Sequence, residues 1–169
     1  WRQNRAGGRM NFMAIVDIKE LRAAVPAGKR LLGLDLGSKT IGLAICDSSF
    51  AIASPLETLR RRKFTHDAID LEALIAERDV GGLVLGLPRN MDGSEGPRAQ
   101  STRQFAVNLL GRSDIPIAFW DERLSTVAVE RLLIEEADLS RRKRGDVVDK
   151  MAASYILQGA IDLIAAQRG

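Results

Sequence analysis

Asp35, the pair Asp121-Glu122, and Asp149 stand where carboxylates do chemistry. Asp35 interrupts the apolar run Leu31-Leu-Gly-Leu-Asp35-Leu-Gly37, and a strand of Leu and Gly has no structural use for an acid. Burying an uncompensated charge costs several kcal/mol or forces it neutral, so this carboxylate calls for a metal ion, a basic group or water. Asp121 and Glu122 directly follow an apolar run ending at Trp120, and strand alternation lets only one of the two face the Asp35 side. Asp149 precedes the small pair Ala152-Ala153, which lets a helix lie close against a sheet. Carboxylates gathered within a few ångströms repel unless a divalent cation sits among them. Mg²⁺ or Mn²⁺ suits such oxygen ligands, and ions of this kind activate water and stabilise the leaving oxygen of a phosphodiester.

The elements that would bring these acids together can be read in order. Trp1 to Met13 is polar, rich in Arg and Gly and aperiodic, and reads as a disordered leader outside a single domain covering residues 14–169. A lead-in helix is expected over Ile15–Ala24, ending at Pro26 and Gly28. Arg30–Asp35 and Ile41–Asp47 read as an antiparallel hairpin joined by Gly37-Ser-Lys-Thr40, and Ala51–Leu59, broken by Pro55, as an edge strand. Thr65 is a candidate cap for a helix carrying Ala68, Leu71, Leu74 and Ile75. The continuous apolar run Gly82–Pro88 is the pattern of a strand buried on both faces.

A turn through Asn90, Gly93 and Gly96 leads to a helix over Arg98–Leu110 and a strand over Ile115–Trp120. A third helix is expected from Ser125 or Thr126 through Ala137, then a loop of Arg141-Arg-Lys-Arg144 and a last helix over Asp146–Gln167. Antiparallel strands followed by βαβ units predict an α/β fold: a five-stranded mixed sheet with helices on both faces, the first strand beside both later ones. The C-terminal ends of strands one, four and five then share one edge, where open α/β sheets bind ligands.

Composition narrows the class. The 169 residues make about one domain, 46% hydrophobic and 28% charged, which excludes a disordered chain. The formal charge is only +3, but Lys and Arg cluster at 60–63 and 141–144; both runs read as solvated loops, and the second, which leads into the Asp149 helix, is also a candidate for phosphate contacts. The single cysteine, Cys46, excludes an internal disulfide and fits a reducing compartment. No apolar run approaches the roughly 18 residues of a membrane span, so a cytoplasmic protein is expected.

Four blocks carry a resemblance. Gly33-Leu-Asp35-Leu-Gly37-Ser-Lys39-Thr-Ile-Gly42, Gly86-Leu-Pro88-Arg-Asn90-Met-Asp-Gly93-Ser, Asp121-Glu122-Arg123-Leu-Ser-Thr126 and Val148-Asp149-Lys-Met-Ala-Ala153 closely resemble the YqgF/RuvX family of bacterial ribonuclease-H-fold proteins, in the family's order. The resemblance implies a ribonuclease-H-like fold and a nuclease of the Holliday-junction-resolvase-like type, assigned to maturation of the 5′ end of pre-16S ribosomal RNA. By position it implies Asp35, Glu122 and Asp149 as the metal-binding acids. Pre-rRNA and branched DNA are both candidate substrates, and a junction resolvase would cut symmetrically as a homodimer.

Plainer readings stand beside these. Asp35 can be a turn aspartate bonded to its own hairpin, Glu122 half of an ion pair with Arg123, and Asp149 the far end of an Asp146-Val-Val-Asp149 capping box. Lys39, Arg89, Asn90, Arg123, Arg142 and Arg144 are candidate substrate contacts, while His66 and Cys46 read as structural. A non-catalytic nucleic-acid-binding module would use the same face. Asp35-Leu-Gly37 is also similar to the phosphate loop of actin-like ATPases, but those clamp nucleotide between two such domains and this length supplies one.

Overall fold

Small and large side chains alternate along the first two strands, and the sheet is built on that alternation. The computed structural model of the protein describes residues 15–124 and 141–167, with side chains from Val148 onward in the last stretch. In chain order the elements are α1 (Ile18–Ala24), β1 (Arg30–Leu36), β2 (Thr40–Cys46), β3 (Ala53–Arg60), α2 (Phe64–Glu77), β4 (Val80–Leu87), α3 (Pro97–Leu110), β5 (Ile117–Asp121), a 3₁₀ turn (Glu122–Leu124) and α4 (Arg141–Ala166). The leader at residues 1–13 and the helix expected at residues 125–137 lie outside the described residues.

The five strands form one mixed sheet in the order β3-β2-β1-β4-β5. β2 runs antiparallel to β1 and β3, whereas β4 is parallel to β1 and β5. The expectation that strand one touches both later strands is corrected: the β2 hairpin occupies one side of β1, so β5 can reach only β4. The C-terminal ends of β1, β4 and β5 nevertheless share an edge, because these three are parallel. Pro55 sits in the edge strand beside a register shift between Leu43 and Ala44, the placement a residue without an N–H donor tolerates.

Leu32, Leu34, Ile41, Leu43, Leu83 and Leu85 fill one face of the sheet against α2 and α3. The opposite face carries Leu31, Ala44, Val84, Ala118 and Trp120 and is covered by α1 and by α4 through Ala152, Ala153, Ile156 and Leu157.

Local boundaries differ from expectation for identifiable reasons. β3 and β5 begin two residues later than the sequence pattern suggests, and Ile15 forms a bridge to Ile117 ahead of α1, which Asp17 caps. Thr65 does not cap α2; the helix starts at Phe64, and Asp67 reaches back to accept the Arg62 N–H at 3.0 Å. Arg141–Arg144 is helical, not a loop. Arg and Lys are good helix formers, and the long packed helix tolerates Gly145 at a cost of roughly 1 kcal/mol. Asp149 therefore lies more than two turns into α4, which removes the capping-box reading.

Candidate metal centre and nucleic-acid interface

Asp35 ends the sparse side of β1. Alternation sends Leu32, Leu34 and Leu36 to the filled face and Leu31, Gly33 and Asp35 to the α4 face, where Asp35 is 3% exposed. Its cross-strand partner on β2 is Gly42. A Cβ on Gly42 would stand 2.1 Å from the Asp149 carbonyl oxygen, so only glycine lets α4 lie this close. Gly33, two residues before Asp35, is likewise capped by Leu157 Cβ at 2.8 Å and the Ala153 carbonyl at 3.0 Å.

On the other side the register of β1 with β4 runs to Leu34↔Leu85, so Gly86 is the next residue beside Asp35. Its missing side chain is replaced by Glu122: a Cβ there would meet Glu122 Oε1 at 2.7 Å and Ile156 Cδ1 at 2.5 Å. Two glycines thus flank Asp35, one seating the backbone of Asp149 and the other the carboxylate of Glu122.

The same alternation places Asp121 and Glu122 on different sides. Ile117 and Phe119 face the filled side, and Asp121 continues that row. There it accepts hydrogen bonds from Arg123 Nη2 at 2.7 Å and Nε at 3.1 Å, and Arg89 Nη1 lies 3.8 Å away. The Arg123 hydrogen bond holds the Asp121 carboxyl below the usual carboxylate range. Glu122, one residue on and in the 3₁₀ turn, comes round to Gly86.

Asp149 is placed differently from the other two. Its backbone packs on Gly42, but its carboxylate accepts a hydrogen bond from the Thr40 hydroxyl. Among the described residues no three His, Cys, Asp or Glu side chains stand close enough to enclose a metal ion as they are arranged. The donor types still fit a hard divalent cation, since all three are carboxylates at one strand-end edge and the Thr40 hydrogen bond engages only one oxygen of Asp149.

The candidate substrate contacts divide into engaged and open groups. Arg89 pairs with Glu95 at 3.3 Å, with its Nε buried and without a hydrogen-bond partner. Asn90 closes its own loop, Nδ2 donating to Ser94 Oγ at 2.9 Å. Arg123 is tied to Asp121, and Gly93, in left-handed backbone at φ 90°, lies 3.3 Å by its hypothetical Cβ from Arg123 Nη1. Lys39 is exposed in the β1–β2 turn and makes no ion pair among the described residues. Arg142 and Arg144 belong to α4 by backbone, but their side chains lie outside the described residues. Cys46 is buried, which pushes its thiol up and makes it unreactive, and His66 lies exposed on α2.

Comparison with known proteins now bears on this edge. Residues 29–163 match the RuvX family, described as Holliday junction resolvase. The chain belongs to the RuvX family. A relative from Roseobacter denitrificans, named "Putative pre-16S rRNA nuclease", is 59% identical over 92% of this chain and 96% of its own. A second with that name, from Cereibacter sphaeroides, is 62% identical over 86% and 90% of the two chains. The solved structure of T. thermophilus RuvC in complex with a Holliday junction substrate superposes with a TM-score of 0.52 at 9% identity, covering 82% of this chain and 96% of that one. At that identity the likeness establishes the shared ribonuclease-H-like fold.

The RuvX match spans β1 through most of α4, so every element holding Asp35, Glu122 and Asp149 lies inside it. Thr40, Gly42, Gly86, Arg61 and Arg98 were not singled out from residue type. For the two glycines a signal existed in residue size: Ile41-Gly42-Leu43-Ala44 and Leu83-Val84-Leu85-Gly86 alternate large and small.

Proposed function

We propose that the chain is a metal-dependent endonuclease that hydrolyses phosphodiester bonds in maturation of the 5′ end of pre-16S rRNA. The observation that carries this reading is the flanking of Asp35 by Gly42 and Gly86, which opens room for Asp149 on one side and Glu122 on the other. Glycine inside a strand costs stability, and here the two glycines let α4 and the Glu122 carboxylate close onto Asp35. Asp35, Glu122 and Asp149 would hold Mg²⁺ or Mn²⁺, which when bound supplies water activation and neutralises phosphate charge. The protein's own contribution is orientation: a closely packed α4, a Glu122 fixed in a 3₁₀ turn, and a rim in which Asp121 clamps Arg123 and Arg89.

The rRNA substrate is supported by the names of relatives near 60% identity, and the branched-DNA alternative by the family description. The free, buried Cys46 supports a reducing, cytoplasmic setting. No helix among the described residues is long and apolar enough to cross a membrane.

Incubation with Mn²⁺ and either a pre-16S leader RNA or a four-way DNA junction tests the reading, with Asp35→Asn as the control. Cleavage of the leader by wild type and its loss in a folded Asp35→Asn variant is the expected result. Equal metal-dependent cleavage by the variant defeats the assignment, and cleavage of the junction alone moves the substrate to branched DNA.

A further inference from the structure

Beside the carboxylate edge, between the β1–β2 turn and the start of α3, lies a cleft of about 570 Å³ whose lining includes Lys39, Arg61, Arg98, Ser101 and Asp149. We propose that this cleft holds a backbone phosphate of the nucleic-acid strand, gripped by Lys39, Arg61 and Arg98, next to the bond that is cut. The proposal rests on the nuclease reading for the identity of the polyanion, and its own content is the assignment of this cleft and of Arg61 and Arg98.

The contrast with the rim makes the case. Arg89, Arg103 and Arg123 each have a carboxylate within 4.0 Å, supplied by Glu95 and Asp121. Lys39, Arg61 and Arg98 have none among the described residues, although they line one concavity. Three like charges in a shared cleft repel one another, and an anion between them relieves that repulsion. Among the described lining residues the acid is Asp149, whose carboxylate accepts a hydrogen bond from the Thr40 hydroxyl.

Arg61 is held rather than left to sweep through solvent. Its Nη1 donates to the Gly37 carbonyl at 2.7 Å, its guanidinium lies 5.6 Å from the Phe105 ring centre, and its backbone N–H donates to the Lys39 carbonyl at 2.8 Å. This fixes a planar donor group against the turn that carries Lys39, the kind of preorganised fork that suits phosphate oxygens.

The start of α3 adds to the same field. Gly96 gives no side-chain cap, Pro97 opens the helix, and the first turn holds no acid, while Glu95 just ahead of it is paired with Arg89 and Arg103. Because Asp149 belongs both to this cleft and to the carboxylate edge, a phosphate bound here lies alongside the reacting one.

Two conservative variants test the assignment, Arg98→Gln and Lys39→Gln. Both residues are exposed and make no protein ion pair among the described residues, so the fold does not depend on them. Binding of a labelled single-stranded RNA is measured in EDTA across a salt series, and cleavage is measured with Mn²⁺. Each variant should lower the slope of log K against log salt by about 0.7 and the double variant by about twice that, the loss expected for each phosphate contact removed from a single strand. KM should rise while kcat stays near wild type. Arg112→Gln, whose guanidinium pairs with Glu72 outside the cleft lining, serves as the comparison and should leave the slope at the wild-type value.

A double variant with the wild-type salt slope and KM overturns the cleft assignment and leaves the nuclease reading untouched. Loss of kcat with slope and KM unchanged also overturns it. Normal cleavage by Asp35→Asn, with the slope still reduced in the cleft variants, removes the carboxylate-centre assignment and keeps the cleft. Absence of binding by wild type to this RNA and to a four-way DNA junction defeats both.

Discussion

The two faces of the sheet are built from the same strands on opposite principles. One is filled with leucine and isoleucine against α2 and α3; the other is pared to glycine and alanine where α4 crosses Asp35. The filled face holds the fold together by burying apolar area, each large side chain contributing roughly 1.5–3 kcal/mol. The sparse face forgoes part of that stabilisation, and the room left is occupied by carboxylates and by the helix that carries one of them. Stability and chemistry are thus separated by strand parity, so substitutions on the two faces should fail in different ways.

The largest effect belongs to the filled face. Leu34 is fully buried in β1, and Leu34→Ala should cost about 2–5 kcal/mol, the usual range for an emptied core site. Activity per folded molecule should change little, because Leu34 points away from Asp35. Urea unfolding monitored alongside cleavage per native molecule checks this; a variant of wild-type stability with lost cleavage would break the division between faces.

On the sparse face Gly42→Ala should damage both properties. The added methyl carbon would lie 2.1 Å from the Asp149 carbonyl oxygen and 2.4 Å from its carbonyl carbon, and neither is a flexible side-chain end. α4 must shift outward, at a cost of about 1–3 kcal/mol for overpacking. Cleavage should fall by more than the loss of folded protein explains, since Asp149 moves with the helix.

Gly86→Ala separates the properties most cleanly. Its Cβ would meet the ends of the Ile156 and Glu122 side chains, both of which can turn aside. Stability should drop by roughly 1 kcal/mol or less, whereas kcat should fall sharply because Glu122 is displaced from beside Asp35. Thermal melting and steady-state cleavage measured on one preparation compare the two directly.

These contrasts also mark how far the sequence can be read. The apolar strand Gly82–Pro88, the hairpin and the parallel crossovers were legible because they follow from local patterns. Strand parity was legible too, but in side-chain size rather than polarity, since β1 and β4 are buried on both faces and show no polar alternation. The helical state of Arg141–Arg144 was hidden because a run of cations reads equally as helix or as loop. The state of each arginine was only partly within reach: Arg123 has Asp121 two residues before it, whereas the cleft position of Arg98, with no acid partner among the described residues, needs the tertiary structure. The glycines at 42 and 86 needed the register, because a small residue earns its meaning from what lies across from it.

The smallest effect tests whether Asp121 belongs to the stabilising face that its parity assigns it to. Its carboxyl is held below the ordinary value of 3.8, chiefly by the Arg123 hydrogen bond. A folded-state value below the unfolded one gives stability that is fully present above the unfolded value and is lost as pH falls through the lowered one. Asp121→Asn should therefore melt slightly below wild type at pH 6, with the gap closing as pH drops past about 4. Arg123 is exposed, so added salt should narrow the gap as well. Cleavage at pH 7 should fall only modestly, through a looser turn under Glu122. A loss as deep as that expected for Asp35→Asn would place Asp121 on the chemical side of the sheet, against the parity of β5.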